Sequence, residues 1–237
     1  MEKNGRVWRA PLEAAPEPAP QEVSCMTDYE IKVQNFRCLN AAAKKGETVF
    51  VGSSLCELFP ISEMLQNVEP RIRVYNRGIG GDVTDGLLQR MEESVFALEP
   101  KKVFINIGTN DISRPGYTRA RLLAQYRKIL EQIKVRLPET KIYVLSYYPV
   151  NRVLPGTDPA QVEAMFGART NAELRAVNAE LEALAASLGC AYIDVFDCLT
   201  DESGNLRAEY TIEGMHMYAN GYAVVLERLL PYLLENI

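Results

Sequence analysis

The sequence predicts an α/β fold: a three-layer α/β/α sandwich on a five-stranded parallel sheet, of the flavodoxin-like type. Short runs rich in β-branched and aromatic residues alternate with longer segments of helical period from residue 46 onward, which is the order of repeated β-α units. The runs are continuously apolar, as is typical of parallel strands buried on both faces. Right-handed crossovers between them would place helices on both sides of the sheet.

The first 25 residues are predicted to form a flexible tail. They include Ala-Ala-Pro-Glu-Pro-Ala-Pro at residues 14–20, and proline cannot continue a helix or a sheet ladder. An N-terminal helix is expected over residues 29–45, with Lys-Lys-Gly at 44–46 as its stop signal. Residues 26–237 are therefore predicted to be one domain, large enough to bury a substantial apolar core.

Five buried strands are predicted from the apolar runs, at residues 48–51, 72–75, 103–107, 142–145 and 191–195. Long helices are predicted where apolar residues recur at helical spacing. These helices carry apolar faces from Leu122 to Leu137 and from Leu174 to Leu188, and the last one runs from Ala219 to Leu234.

Composition excludes several classes of function. A net charge of −5 argues against a nucleic-acid partner, because such binding depends on Lys and Arg neutralising phosphates. The five cysteines contain no CxxC pair, so neither a disulfide framework nor a zinc site is predicted. Without a recognisable signal peptide or a transmembrane segment, a cytoplasmic protein with reduced thiols is expected.

In a doubly wound sheet, ligands bind beyond the carboxyl ends of the strands. The first predicted strand is followed by Gly-Ser-Ser-Leu at residues 52–55 and by a helix expected to begin near Cys56 or Glu57. Ser54 would then lie at a helix N-terminus, where backbone N–H groups favour negative charge. The alternative is that Ser53 or Ser54 only caps this helix.

Two further segments follow predicted strands at the same edge. Residues 76–82 read Asn-Arg-Gly-Ile-Gly-Gly-Asp, and their glycines permit close approach of the backbone to a ligand. A phosphate-binding loop is the alternative, but the segment lacks the spacing of a dinucleotide fingerprint and the lysine of a P-loop. Residues 108–111 read Gly-Thr-Asn-Asp, and a simple turn-forming Asn-Asp pair is the alternative there.

His216 is the only histidine of the 237 residues. An imidazole titrates near neutral pH, so it can take a proton from a serine hydroxyl and return it to a leaving group. Any imidazole-based proton transfer must therefore use this residue. The alternative is a hydrogen-bonded structural histidine.

Taken together, the four segments 52–55, 76–82, 108–111 and 213–216 resemble, in order, the four blocks of the SGNH (GDSL-like) hydrolase superfamily. The resemblance covers about residues 48–235. It implies Ser54 as nucleophile and His216 as general base and acid. Glu213 takes the place of the family's orienting aspartate. The alternatives are that a backbone carbonyl orients the ring and that Glu213 is an exposed loop carboxylate.

The resemblance also implies an oxyanion hole formed by the backbone N–H groups of Ser54 and Gly81 and the side-chain amide of Asn110. Ser53 stands where the family most often has aspartate, which leaves a neighbouring hydroxyl to be excluded as nucleophile. Asp82 and Asp111 match family positions and are interpreted as turn-stabilising groups without a part in proton transfer. No cofactor and no metal are implied.

Within the superfamily, the sequence looks most similar to the catalytic subunits of platelet-activating-factor acetylhydrolase. This implies a serine esterase for short acyl groups, acetyl foremost, acting on a small-molecule ester. Relatives that hydrolyse lysophospholipids or thioesters give the alternative substrates. The loop from Tyr148 to about Arg169 is long for such a fold and is expected to flank the pocket. Val150, Met165 and Phe166 are its candidate substrate-binding residues, unless the loop packs on itself.

Three other hypotheses stay open at this point. A non-catalytic binding module could keep the fold without turnover. Cys56 could serve as a thiol nucleophile, although it is expected to face away from His216 within the first helix turn. The amphipathic segment over residues 29–45 could pack on the body or on a second copy, so a homodimer is compatible with the sequence.

Overall fold

The structure, a computed structural model, describes residues 26–154, 156 and 158–235. Within these residues, five strands form one parallel sheet in the order β2-β1-β3-β4-β5. The strands are β1 Thr48–Gly52, β2 Val74–Gly78, β3 Lys102–Asn106, β4 Lys141–Leu145 and β5 Ala191–Ile193. The predicted five-stranded parallel sheet and three-layer sandwich are thereby confirmed. The tail predicted over residues 1–25 lies outside the described residues.

Ten α-helices of the described residues connect and cover the strands. They are α1 Asp28–Ala41, α2 Ser54–Glu57, α3 Ile61–Met64, α4 Thr84–Gln89, α5 Met91–Ser94, α6 Thr109–Ile112, α7 Arg119–Arg136, α8 Pro159–Phe166, α9 Asn171–Ser187 and α10 Ala219–Leu234. Single turns of 3-10 helix lie at Leu65–Asn67, Phe96–Leu98, Asp197–Leu199 and Ala208–Tyr210. In this part of the chain, no helix has both the length and the apolar character needed to cross a membrane.

The two faces of the sheet bury separate apolar cores, because successive strand residues point to opposite sides. Val49 and Ile105 pack with α7 and α9 on one face. Phe50 and Phe104 pack with α2 and α10 on the other face. There, the rings of Phe50, Phe104 and Tyr143 stack across three neighbouring strands, with centroids 4.6 and 4.5 Å apart. Offset aromatic contacts of this kind add to the free energy gained by burial.

Threonine caps set the start of three long helices. Thr27, Thr118 and Thr170 each accept a hydrogen bond from a backbone N–H of the first helical turn, which satisfies donors that have no partner within the helix. Helix α1 ends at Ala41 and not near residue 45 as predicted. The last turn tightens, because the Ala42 and Ala43 N–H groups bond three residues back, to the Leu39 and Asn40 carbonyls, both at 3.2 Å. Gly46, with φ 79°, then turns the chain toward β1.

One strand differs clearly from its predicted position. Strand β2 covers Val74–Gly78 and not residues 72–75, because it pairs with β1 in register from Thr48–Val74 to Gly52–Gly78. Its end lies directly against α2, where a Cβ on Gly78 would stand 2.3 Å from the Glu57 nitrogen. Glycine is required at this close approach.

The last strand is shorter than predicted. Strand β5 ends at Ile193 instead of residue 195. Beyond it, the Val195 N–H donates to the side chain of Ser146 at 2.9 Å and not to a strand carbonyl. The other three strands begin and end within one residue of their predicted positions.

A buried lysine connects the C-terminus of α10 to the sheet, at the end where β3 begins. Lys102 begins β3 and is 7% exposed. Its ammonium donates to the carbonyls of Tyr232, Leu233 and Glu235 at 2.8, 2.8 and 2.7 Å. A cation is favourable at a helix C-terminus, where carbonyls lack partners. Burial lowers the pKa of Lys102.

Candidate active site

Ser54 lies at the carboxyl end of β1, on the first residue of α2. The helix begins two residues earlier than predicted, because the N–H groups of Cys56 and Glu57 both bond to the Ser53 carbonyl, at 3.1 and 2.9 Å. The Ser53 side chain makes no capping hydrogen bond. The turn before the helix is tight, since a Cβ on Gly52 would stand 2.3 Å from the Asn106 carbonyl oxygen.

The Ser54 hydroxyl, the His216 imidazole and the Glu213 carboxylate form a continuous row of hydrogen bonds. His216 Nε2 lies 2.8 Å from Ser54 Oγ, and its Nδ1 lies 2.5 Å from Glu213 Oε1. An ionised carboxylate can only accept, so Nδ1 carries the proton and Nε2 presents a lone pair to the serine. The His216 and Glu213 side chains are 31% and 29% exposed, which leaves the row accessible to a ligand.

The loop that carries His216 is fixed by the Thr211 side chain and by its close approach to the Asn151 carbonyl. Thr211 Oγ1 donates to the His216 carbonyl at 2.8 Å and accepts from the Gly214 N–H at 2.8 Å. Gly214 has φ 101°, and a Cβ there would stand 2.2 Å from the Asn151 carbonyl oxygen. Only glycine fits this position, so the loop presents the imidazole in one orientation.

Two backbone N–H groups beside Ser54 are free. Within the described residues, neither the Ser54 nitrogen nor the Gly81 nitrogen has a hydrogen-bond partner. Gly81 adopts φ 75°, while the preceding Gly80 N–H is held by Glu57 Oε2 at 2.6 Å. A Cβ on Gly80 would stand 3.8 Å from the Ser54 Cβ, so this loop adjoins the serine. Free N–H donors at such a place can stabilise a developing oxyanion.

Asn110, on α6 after β3, faces the same loop. Its Nδ2 donates to the Asp82 carbonyl at 2.9 Å, and its Oδ1 accepts from Arg169 Nη1 at 3.3 Å. The second hydrogen of Nδ2 stays available for a ligand. Sequence reasoning missed Arg169, because an arginine at the end of a loop is normally expected to be solvent-exposed.

Asp82 fixes the glycine loop through a buried ion pair. Asp82 Oδ2 lies 2.7 Å from Arg90 Nε, with side chains 2% and 1% exposed. Arg90 also donates to the carbonyls of Arg77 at 2.7 Å and Gly52 at 3.0 Å, so it joins the ends of β1 and β2. Burial raises the pKa of Asp82, and the Arg90 charge opposes that rise. Like Arg169, Arg90 was not predicted from the sequence to support the site.

Asp111 stabilises the neighbouring turn. It accepts from the Thr84 hydroxyl at 2.5 Å and from the Thr84 N–H at 3.1 Å. Burial raises the pKa of Asp111, and these hydrogen bonds oppose the rise. Like Asp82, it makes no direct hydrogen bond to Ser54 or His216. Both contacts are those expected of turn-stabilising carboxylates.

A small cleft of about 250 Å³, including space open to solvent, is lined by Leu55 and Met215, the chain neighbours of Ser54 and His216. Its wall is formed by Leu55, Thr109, Tyr148, Pro149, Val150, Arg169, Leu174 and Met215. Of the three candidate substrate-binding residues, Val150 lines this cavity. Met165 is 39% exposed, and Phe166 is buried in the core beside α7 and α9. Phe166 belongs to the core because the Arg152 guanidinium lies over its ring and Gly214 approaches it from the histidine loop.

A larger cavity of about 480 Å³ lies on the far side of Asp111, between Val83 and Arg121. Neither Ser54 nor His216 lines it. Its wall combines acidic, basic and aromatic residues, among them Arg114 and Tyr117.

The structure gives Cys56 a structural position. Its thiol donates to Asn76 Oδ1 at 3.2 Å, and burial raises the pKa of Cys56 to about 12. A nucleophilic cysteine needs a lowered pKa, so these contacts disfavour the thiol hydrolase hypothesis. In residues 26–154, 156 and 158–235, no cluster of three or more His, Cys, Asp or Glu side chains is arranged to hold a metal ion.

Comparison with known proteins gives a family match and close folds. A model of the GDSL-like Lipase/Acylhydrolase family matches residues 60–224, a range that begins shortly after Ser54. Platelet-activating factor acetylhydrolase IB subunit alpha1 of Pongo abelii is 27% identical over 193 residues, covering 81% of this chain and 77% of the relative.

Solved structures agree with the observed architecture. One from Streptococcus pneumonia, described as a platelet activating factor, is 29% identical with a TM-score of 0.77, over 86% of this chain and 92% of that chain. A GDSL-like lipase from Bacteroides thetaiotaomicron has a TM-score of 0.71 at 21% identity, over 86% of this chain and 98% of that chain. At that identity, the lipase shows the same fold.

Proposed function

The chain belongs to the GDSL-like lipase/acylhydrolase family, and from that premise we propose that it is a serine esterase. It hydrolyses short-chain acyl esters, acetyl esters foremost, through an acyl-enzyme intermediate. Membership of the family makes the chain a hydrolase of ester bonds; the serine mechanism and the short acyl group are the proposal. The observation that carries it is the row of hydrogen bonds from Ser54 through His216 to Glu213.

The acylation step follows from this arrangement. Ser54 Oγ attacks the ester carbonyl carbon while His216 Nε2 takes the hydroxyl proton. Glu213 holds the imidazole in the correct tautomer and stabilises the imidazolium that forms. The carbonyl oxygen becomes an oxyanion, which accepts hydrogen bonds from the Ser54 and Gly81 N–H groups and from Asn110.

Breakdown of the tetrahedral intermediate releases the alcohol. His216 returns its proton to the departing alcohol oxygen, and the acyl group stays on Ser54. Water then attacks the acyl-enzyme while His216 takes its proton; the bond from the acyl carbon to Ser54 Oγ breaks, His216 returns the proton to that oxygen, and the acid leaves. The 31% exposure of the His216 side chain allows water to reach this position.

Two observations support a short acyl group. The cleft lined by Leu55 and Met215, the chain neighbours of Ser54 and His216, is only about 250 Å³ including the space open to solvent. The relative that is 27% identical over 81% of this chain is named as an acetylhydrolase. The same fold acting as a lysophospholipase or thioesterase is the second candidate, and it requires room for a longer acyl chain.

The test is hydrolysis of p-nitrophenyl acetate. We expect turnover with an initial burst of p-nitrophenol, because the acyl-enzyme forms before it is hydrolysed. Ser54→Ala and His216→Ala should each lower kcat by at least about 10³-fold. Ser53→Ala is the matched control and should stay active, since its hydroxyl does not contact His216.

Three outcomes would change the conclusion. An active Ser54→Ala protein would refute the nucleophile. A wild-type protein inactive on acetyl, butyryl and octanoyl esters and on acyl thioesters would leave a binding module without turnover. If kcat/KM rises from acetyl to octanoyl esters, the lysophospholipase hypothesis replaces the short-chain esterase hypothesis.

A further inference from the structure

Arg169 is a buried guanidinium beside the candidate site, and within the described residues it has no anionic partner. The residue is 7% exposed, and no carboxylate of the described residues pairs with it, so burial alone lowers its pKa. Its donors contact neutral acceptors in the last turn of α8, the carbonyls of Met165 and Phe166. Burying an unpaired charge destabilises the fold, so Arg169 is a candidate for a role in the site.

The third contact of Arg169 is with the site itself. Its Nη1 lies 3.3 Å from Asn110 Oδ1 and 3.2 Å from Met215 Sδ. Met215 immediately precedes His216, so one side chain joins α6, the histidine loop and the loop after β4. Of the members of the proposed catalytic machinery, only Asn110 receives a hydrogen bond from Arg169.

The partners of Asn110 allow one orientation of its amide. The Asp82 carbonyl can only accept, and a guanidinium can only donate. A flipped amide would place its NH₂ against the Arg169 cation and its oxygen against the Asp82 carbonyl oxygen. The pair of contacts therefore keeps Nδ2 on the side of Gly81, where an oxyanion would form.

We propose that Arg169 is a positioning residue, which holds the Asn110 amide so that its free N–H points to the oxyanion of the reaction. The inference rests on the proposed esterase function. Without Arg169, only the Asp82 carbonyl still distinguishes the two orientations of the amide, so part of the protein carries the oxygen where the N–H is needed. The positive charge also polarises the amide, which strengthens its N–H as a donor.

The test compares Arg169→Gln and Arg169→Lys with Arg152→Gln. We expect Arg169→Gln to lower kcat by about 10- to 100-fold, less than the 10²- to 10³-fold loss from removing an oxyanion donor. KM should change by less than about threefold, because the ground-state carbonyl gains little from this donor. Arg169→Lys keeps the cation, its donors and most of the buried stem, so it should lose less kcat than Arg169→Gln.

Arg152 is the matched control from the same loop. It donates to the Gly167 carbonyl at 2.9 Å and pairs with Glu163 at 2.7 Å, without a contact to Asn110. Arg152→Gln should keep kcat within about threefold of wild type. An equal loss of kcat in Arg152→Gln would assign the effect to loop stability, and the proposal would fail.

A double-variant cycle makes the test specific for Asn110. If Arg169 acts through this amide, Arg169→Gln should lower kcat in the wild type but not in the Asn110→Ala background. Additive losses, or full kcat in a folded Arg169→Gln protein, would overturn the proposal. An inactive wild type would instead remove the esterase function itself, which the p-nitrophenyl acetate assay decides first.

Discussion

At the scale of single residues, Glu213 does two jobs with one oxygen. Its Oε1 accepts from the His216 ring at 2.5 Å and from the His216 backbone N–H at 3.0 Å. The carboxylate therefore closes the loop between positions 213 and 216 and orients the imidazole at once. The extra methylene of glutamate, compared with aspartate, is accommodated by the turn at Gly214 with φ 101°.

Glu213→Gln should keep the loop and lose the chemistry. The glutamine oxygen can still accept from the backbone N–H, but a neutral amide no longer stabilises the imidazolium and permits the wrong tautomer. We expect kcat on p-nitrophenyl acetate to fall by about 10²- to 10⁴-fold with little change in thermal stability. Glu209→Gln, an exposed position in the same segment, is the control. Near-wild-type kcat in Glu213→Gln would show that this carboxylate has no part in proton transfer.

Thiol alkylation should leave esterase activity intact. With the pKa of Cys56 raised to about 12, roughly 10⁻⁴ of this thiol is ionised at pH 8, and the reactive form is the thiolate. Iodoacetamide at pH 8 should therefore label the exposed Cys38 and spare Cys56, as read by peptide mass spectrometry. Loss of activity in step with Cys56 labelling would count against its buried structural position.

At the scale of secondary structure elements, the candidate site lies at the carboxyl ends of the strands, and the contact that anchors α10 lies at the opposite end of the sheet. The segments after β1, β2 and β3 hold Ser54, Gly81 and Asn110. At the opposite end of β3, Lys102 fastens the last turn of α10 through three carbonyls. Helix α10 covers the face of the sheet where Phe50 and Phe104 are buried, so its attachment stabilises the apolar core on that face.

Lys102→Met should destabilise the protein without touching the site. The variant keeps the length of the side chain but leaves three helix carbonyls without their donor, at a cost of about 2 kcal/mol. The free energy of unfolding from urea titration measures this loss. Lys101→Met is the neighbouring exposed control and should stay within about 0.5 kcal/mol of wild type. Equal stability of the two variants would contradict the anchoring contact.

Element by element, apolar runs predicted β1, β3 and β4 to within one residue because almost every residue of these strands is buried. Strand β2 begins two residues and ends three residues later than predicted, because Asn76 and Arg77, polar by sequence, find partners inside the fold in the Cys56 carbonyl and Asn40. The sequence around Phe166 shows no apolar periodicity, so it could not distinguish a residue of a pocket wall from a residue of the core. Arg90 and Arg169 could not be found, since their contacts join positions 38 and 59 apart along the chain.

At the scale of the whole molecule, the site joins the front of the fold to its end. Ser54 and His216 are separated by 162 positions. A second contact runs parallel to theirs, from the Tyr222 hydroxyl on α10 to the Leu55 carbonyl on α2 at 2.9 Å. The motif order in the sequence predicted the first contact as a resemblance to a family, whereas nothing in the sequence indicated the second. The homodimer, the cytoplasmic location and the absence of a nucleic-acid partner stay predictions.

Tyr222→Phe should weaken this connection. The ring still fills its place against Phe59, with centroids 4.9 Å apart, but the Leu55 carbonyl loses its donor. We expect the free energy of unfolding to fall by about 1 kcal/mol and thermal unfolding to occur at a lower temperature. Tyr218→Phe, at a tyrosine that is 53% exposed, should unfold like the wild type. A Tyr222→Phe protein as stable as wild type would mean that this hydroxyl contributes nothing to the junction.

The position of Lys102 at the base of β3 has a practical consequence for protein engineering. Its strand spans about 13 Å from first to last residue, and residues 108–111 follow at the far end. A library that randomises cavity-wall positions such as Val150 or Met215 would leave this ammonium and its three carbonyls unmutated. Selectivity for a new acyl donor and thermal robustness can therefore be screened as separate traits.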